Sequence, residues 1–450
     1  MTRILIPSGA LGLGYDADAL ARGIAAKPDL IAIDGGSTDS GPSYLGRGVS
    51  KYSRAGTKAE WKSLIAARAE AGCPLVIGTA GTCGTDSTVE WLYEITVEAL
   101  AELRLSARIA VLKSEQPKER ITDALTAGRV TPLPHAPEIS ADLIRSTTHI
   151  VALAGAEQIA EALKTGADIV IAGRTTDTAI IAALPLMRGD HTGAAWQAAK
   201  IGECGALCAT NPQSGLIQID IDSEGFTVTP LADGAHCTPH TVSAHMLYEN
   251  SDPFILYEPG GHLDVTAAKY TALDDNSVRV TGSVWVPSDR YTVKLEGARV
   301  AGYQTLLLAT VRDRRYVENI RAWVDDIARR HAQRVANRMW LVPEDYSCEL
   351  RIIGVEATLG ALETRREAPA EAGVMGIITA PTQERANEIG KLLNPFLLHH
   401  PLTREEEQPT FAFPFSPAEI DRGAIYEFCL NHLMELDNPM DAFCLEVRDA

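Results

Sequence analysis

Residues 168–179 read DIVIAGRTTDTA: an unbroken apolar run, a glycine, then polar residues that open a helical pattern. A strand covered by helices on both faces has no polar side to show, so its apolar run does not alternate. The same grammar of strand, loop and helix recurs upstream in RILIP from Arg3, DLIAID from Asp29, PLVIGT from Pro74, RIAVLK from Arg108 and HIVALA from His149. Segments of helical period fall near residues 17–26, 58–71, 87–103, 119–127, 156–164 and 175–184. This alternation predicts an α/β fold with a parallel, Rossmann-like sheet of six strands in the N-terminal half.

Downstream the pattern changes. GLIQIDID, FTVTPL, SVRVTGSVWV and YTVKLEG are alternating or turn-bounded runs, which read as antiparallel strands. From Gly302 the order becomes strand, long helix (316–337), two strands and a helix (382–393), which suits a split β-α-β, ferredoxin-like part within a strand-rich α+β region. A chain of 450 residues exceeds what one core usually organises, and the change of character sets the expected domains at 1–210 and 211–450.

The formal net charge of −18 opposes nucleic-acid backbones and anionic membrane surfaces, and leaves small molecules or proteins as partners. A local pocket of Arg, Lys and backbone N–H groups can still hold a small anionic substrate. The eight cysteines form no CxxC pair, no signal-peptide core follows Met1, and no run reaches the roughly 18 apolar residues of a membrane helix. A cytoplasmic enzyme, and at this size a homo-oligomer, is the expectation.

Five glycine-rich segments stand out, four where strands end and one just past the parallel region. SGALGLG (8–14) offers Ser8, Gly9 and backbone N–H groups to an anion at a helix start, or makes a tight turn; its spacing is G-x-x-G-x-G, not that of a dinucleotide site. IDGGSTDSGPSYLG (33–46) crowds Asp34, Ser37, Asp39 and Ser40 together. Such a loop can orient substrate, supply a general base, hold a divalent cation at Asp34 and Asp39, or simply form an Asx-turn. In GTAGTCGTDSTVEW (78–91), Gly81, Thr82, Gly84 and Thr85 read as an anion nest, and Cys83 as a thiol with no histidine tied to it.

Arg174 in IAGRTTDTA is suited to clamping a carboxylate, with Asp177 to orient it. In KIGECGALCAT (200–210), Glu203 beside Gly205 is the preferred general acid/base, because small neighbours let a carboxyl lose water; Cys204 and Cys208 read as packing residues. His236, Cys237, His240, His245 and His262 match no zinc spacing, and His245 is retained as an acid/base candidate. Lys294 and Glu296 read as an ordinary ion pair on one strand face, and the pair His399 and His400 as the end of a helix. Beyond the cation at Asp34 and Asp39, no metal or cofactor is expected.

Taken in order, IDGGSTDSGPSYLG, GTAGTCGTDSTVEW, IAGRTTDTA, KIGECGALCAT, HTVSAHMLYENSDPF with EPGGHLDV, YTVKLEGARVAGYQT and FAFPFSP resemble the acyclic terpene utilisation protein A (AtuA-like) family. The resemblance implies an enzyme of small-acid degradation and places no catalytic residue. It also implies a small partner subunit, since longer relatives carry an extra small C-terminal domain that this chain lacks. Thr and Cys in GTAGTCGTD stand where smaller residues are expected in relatives.

Walker A, GxSxG and dinucleotide patterns are missing, so the residues favour a lyase or hydro-lyase acting on a small carboxylate or its acyl-CoA ester. Proton abstraction next to a carbonyl would need Glu203 or Asp39 as base, Arg174 as clamp, Asp177 to orient it and the Gly81–Thr85 loop to meet developing charge. An ammonia-lyase or isomerase on a small amino or hydroxy acid, and a non-catalytic subunit active only with a small partner, remain as alternatives.

Overall fold

A computed structural model describes residues 1–365 and 367–450. Two units emerge from it, one built of Met1–Arg299 with Phe428–Ala450, the other of Val300–Glu427.

The larger unit carries a ten-stranded sheet in the order Lys269–Ala272, Val278–Thr281, Gly225–Pro230, Ile217–Ile221, Thr2–Ile6, Leu30–Asp34, Leu75–Gly78, Ile169–Ala172, Arg108–Lys113 and Cys444–Asp449. The five strands from Thr2–Ile6 to Arg108–Lys113 are mutually parallel, and those outside them join antiparallel. The change of pattern near residue 210 therefore marks strands that extend the same sheet in the opposite sense.

Consecutive residues of the central strands point into different cores. Leu5, Ile31, Ile33, Leu75, Ile77, Ile109, Val111, Ile169 and Ile171 pack under helices Ala17–Ala25, Arg54–Ala71 and Asp86–Leu103. Ile4, Ile6, Leu30, Ala32, Val76, Ala110, Leu112, Val170 and Ala172 pack under Ala156–Lys164, Ala179–Arg188 and Thr192–Gly202. Both faces are covered, which is why these runs are apolar throughout.

HIVALA is the exception among the six expected parallel strands. Its strand, Thr147–Ala152, pairs antiparallel with the Tyr291–Val311 strand in a second sheet. Thr148 donates to the Ala298 carbonyl at 3.0 Å and His149 meets Glu115 at 2.6 Å, so two polar residues at least partly exposed precede the buried Ile150, Val151 and Ala152.

In the smaller unit the Tyr291–Val311 strand continues from Val300, followed by helices Arg314–Glu318 and Ile320–Met339, strands Ser347–Ile353 and Ala372–Ala380, helix Gln383–His399 and the start of strand Ile420–Leu436. The sheet order is Ser347–Ile353, Ala372–Ala380, Tyr291–Val311, Ile420–Leu436. Helix Ile320–Met339 buries Ile320, Trp323, Val324, Ile327, His331 and Val335, a stripe of three- and four-residue steps laid on Leu307, Val374 and Ile378. Among the described residues no helix is long and apolar enough to cross a membrane.

Candidate functional site

Strands Leu75–Gly78 and Ile169–Ala172 are neighbours, but the chain leaves them for helices on opposite faces of the sheet. Their following loops diverge, and such a switch point opens a crevice at the carboxyl ends of the strands. The loops of Asp34, Thr79 and Arg174 meet there. Gly35 donates to the Gly78 carbonyl at 2.7 Å, Thr82 to that of Gly35 at 3.0 Å, and Thr79 to that of Gly173 at 2.7 Å.

The glycines serve this backbone-to-backbone packing. A Cβ on Gly84 would stand 2.1 Å from the Arg174 nitrogen, and one on Gly35 2.5 Å from the Thr79 carbonyl oxygen. The expected anion nest is altered accordingly: the N–H groups of Thr82 and Gly84 are spent on Gly35, Thr79 and Ala80, and Gly81, Thr82 and Thr85 are buried. Cys83 is buried against Leu45, Val151 and Ala298, as a packing residue. In the first loop Gly12 donates to Glu60 at 2.7 Å, while Ser8 is buried and Gly9 packs on the Cys204 carbonyl. Gly205, at φ +58°, closes the same contact from the other side.

Arg174 is only 6% exposed, and all five of its donors are occupied. Nε and Nη2 grip Glu296 at 3.0 and 3.3 Å, Nη1 reaches Thr79 Oγ1 at 3.2 Å and the Thr175 carbonyl at 3.3 Å, and Nη2 also meets Thr38 Oγ1 at 3.3 Å. The clamp anticipated for a substrate carboxylate thus holds a carboxylate of the protein's own. Burial pushes the Glu296 carboxyl up, yet Arg174 and Lys294 prevail and hold it at about 2. Asp177 lies 3.8 Å from Arg174 Nη1, and its own carboxyl is raised by burial and by Asp39, against Arg174 and Lys200.

Asp34 and Glu203, two further carboxyls of the site, have raised affinity for protons. Asp34 is held well above the ordinary range by burial and by the Asp177 charge; Oδ2 accepts from Gly36 at 3.0 Å, and Oδ1 has no partner. Asp39 is exposed and bonded to Ser37 Oγ at 2.6 Å. Glu203 follows helix Thr192–Gly202, buried along its length, and its carboxyl is pushed up to about 8 by burial against the opposing Lys200 ammonium 2.5 Å away. Lys200 also donates to the Tyr248 carbonyl at 2.8 Å. His245, at the end of helix Pro239–His245, is driven down to about 4 by burial and by Lys200.

A family model described as acyclic terpene utilisation family protein AtuA matches residues 55–415. The chain belongs to that family. No curated protein and no solved structure matches it.

Three groups of this AtuA-family site escaped the sequence. Glu296 read as the ordinary partner of Lys294 on one strand face; that pair forms at 3.1 Å, and Glu296 is also the counter-ion of Arg174. Lys200 stands out in retrospect as a lone cation in the apolar helix TGAAWQAAKIG. Glu258, in EPGGHLD, ends strand Ile255–Glu258 and lines a cavity of about 590 Å³ with Thr176, His262, Arg290, Lys294 and Leu433. Its Oε1 accepts from Thr178 Oγ1, its Oε2 is buried without a partner, and burial pushes the carboxyl up to about 7, against the Thr178 hydrogen bond.

Proposed function

We propose that this AtuA-family chain is a lyase of the hydro-lyase kind, acting on a small carboxylate or its acyl-CoA ester. The observation that carries the reading is Glu258. Glu258 lines a cavity, its buried Oε2 has no hydrogen-bond partner, and its pKa of about 7 keeps both protonation states populated near neutral pH, where acid–base transfer is most efficient. In this reading Glu258 takes the proton from the carbon next to a carbonyl. Asp34, whose affinity for a proton is raised by burial and by Asp177, gives its proton to the departing hydroxyl as the carbon–oxygen bond breaks, and water leaves. Lys294 and Arg290 on the cavity wall supply positive charge for an anionic substrate, a task that Arg174 is not free to perform.

The family description, acyclic terpene utilisation, supports a catabolic role. The proposal includes action in the cytoplasm as a homo-oligomer, with a small partner subunit as the family resemblance implies. It also reads the parallel core as Rossmann-like and the smaller unit as ferredoxin-like, on the strand orders given above.

The test follows deuterium uptake from D₂O next to the carbonyl in short 3-hydroxycarboxylates and their CoA esters by proton NMR, together with appearance of the unsaturated product. Glu258→Gln should slow both about 10²–10⁴-fold and leave the melting temperature in place. Exchange in Glu258→Gln within about tenfold of the wild-type rate removes Glu258 from the mechanism. Ammonia release from amino acids would select the ammonia-lyase alternative, and turnover that appears only with an added small protein would select the subunit alternative.

A further inference from the structure

Glu203 and Cys204 are adjacent in sequence, and His245 arrives from a separate helix. A carboxylate oxygen of Glu203, the Cys204 Sγ and a ring nitrogen of His245 all lie within 4.8 Å of one another. This is an oxygen, a sulfur and a nitrogen donor converging at one buried point. His245 is 5% exposed, its ring is stacked on Tyr248 with centroids 5.4 Å apart, and its Nε2 is buried with no hydrogen-bond partner. A buried ring nitrogen without a partner has given up its water and gained nothing in exchange unless something bonds or coordinates it.

We propose that Glu203, Cys204 and His245 form a binding site for a single divalent transition-metal ion of the zinc class. Three protein ligands of mixed O, S and N type, with a fourth position left for water or substrate, are the pattern of catalytic rather than structural zinc. With bonds of about 2.0–2.3 Å, tetrahedral ligands stand roughly 3.5 Å apart, so donors separated by up to 4.8 Å need to close by up to about 1.3 Å. Rotation of the Cys204 and Glu203 side chains covers that distance.

The charges nearby favour a cation. Glu203, Asp177 and Glu249 act on Cys204 through space, against the Lys200 charge. Lys200 is already held by one Glu203 oxygen at 2.5 Å and by the Tyr248 carbonyl, which leaves the second Glu203 oxygen for the metal. Neither Cys208 nor Cys237 belongs to the site: the Cys237 thiol turns to the Cys208 carbonyl at 3.7 Å.

Metal binding is read without turnover, so this site stands or falls whichever reaction the chain catalyses. The full-length chain is stripped with a chelator, titrated with Co²⁺ and then with Zn²⁺, and followed by elemental analysis and absorbance. The expected result is one Co²⁺ per chain, with a thiolate-to-cobalt charge-transfer band and visible bands of tetrahedral intensity, both displaced by Zn²⁺. Cys204→Ser should lose the charge-transfer band while keeping weaker binding, and His245→Ala and Glu203→Gln should each weaken binding at least tenfold. Cys204→Ser is nearly isosteric, so it tests the site even if His245→Ala fails to fold. Sub-stoichiometric metal, or a cobalt spectrum unchanged in Cys204→Ser, would overturn the proposal.

Discussion

Replacing Glu296 with glutamine keeps the shape of the side chain, removes its charge and leaves the Arg174 guanidinium facing a neutral amide where both groups are 6% exposed. The cost can be worked out from the site. Arg174 and Lys294 hold the Glu296 carboxyl at about 2 against an ordinary 4.5. At about 1.4 kcal/mol per pH unit that is about 3.5 kcal/mol. The independent expectation for breaking a buried ion pair by removing one partner is about 3–5 kcal/mol. For a unit of this size the melting temperature should fall by roughly 5–10 °C. Because the folded-state pKa is depressed, the stabilisation is complete above 4.5 and is lost as pH falls through about 2. Differential scanning calorimetry of the wild type and Glu296→Gln should therefore show a gap at pH 7 that closes as the buffer is acidified. A gap under 1 °C at pH 7, or one that widens toward acid, would refute the assignment of Glu296 as the counter-ion of Arg174.

Turnover of the Glu258→Gln enzyme should fall about 10²–10⁴-fold, and the wild-type rate profile should carry a limb near pH 7 that the variant lacks. Asp34→Asn should be tolerated at neutral pH: a carboxyl with a raised folded-state pKa stabilises below its ordinary value of 3.8 and loses that stabilisation as pH rises, so the variant's melting temperature should decline less from pH 5 to pH 8 than the wild type's. Gly84→Ala places a methyl 2.1 Å from the Arg174 nitrogen at φ +64° and should prevent soluble expression, whereas Gly14→Ala, at φ +79° with nothing within 4 Å, should cost only about 1 kcal/mol in urea unfolding. Under native conditions Cys444, which is exposed, should react with a thiol reagent while the buried Cys83 stays protected.

The parallel core was legible because its signal is local. Every residue from Leu30 to Asp34 must be apolar or functional when helices cover both faces, and a glycine must follow where loops touch backbone to backbone. Asp34 and Arg174 could be singled out for the same reason, each being a charge at the end of such a run, whereas Glu203 drew notice as a carboxyl among small residues at the end of helix Thr192–Gly202. HIVALA obeyed the grammar and still went to another sheet, because its pairing was decided by Leu295–Ala298, well over a hundred residues away. The state of Arg174 was invisible for a related reason, since its counter-ion is 122 positions downstream on a strand whose alternation reads as ordinary. Glu258 ends a four-residue strand in a small three-stranded sheet, and nothing in EPGGHLD announces that its second oxygen would be left buried without a partner.

The Cys444–Asp449 strand closes the sheet against Arg108–Lys113, and Ala107 and Ala450 exchange backbone hydrogen bonds at 2.8 and 3.0 Å. On the ribosome, Arg108–Lys113 is made more than three hundred residues before the strand that shields it, and the whole of Val300–Glu427 must emerge in between. During that interval the nascent parallel sheet presents a bare edge of N–H and C=O groups, a template for pairing with a neighbouring chain. Loss of Cys444–Asp449 would make that exposure permanent, so this strand guards the solubility of the sheet as well as completing it.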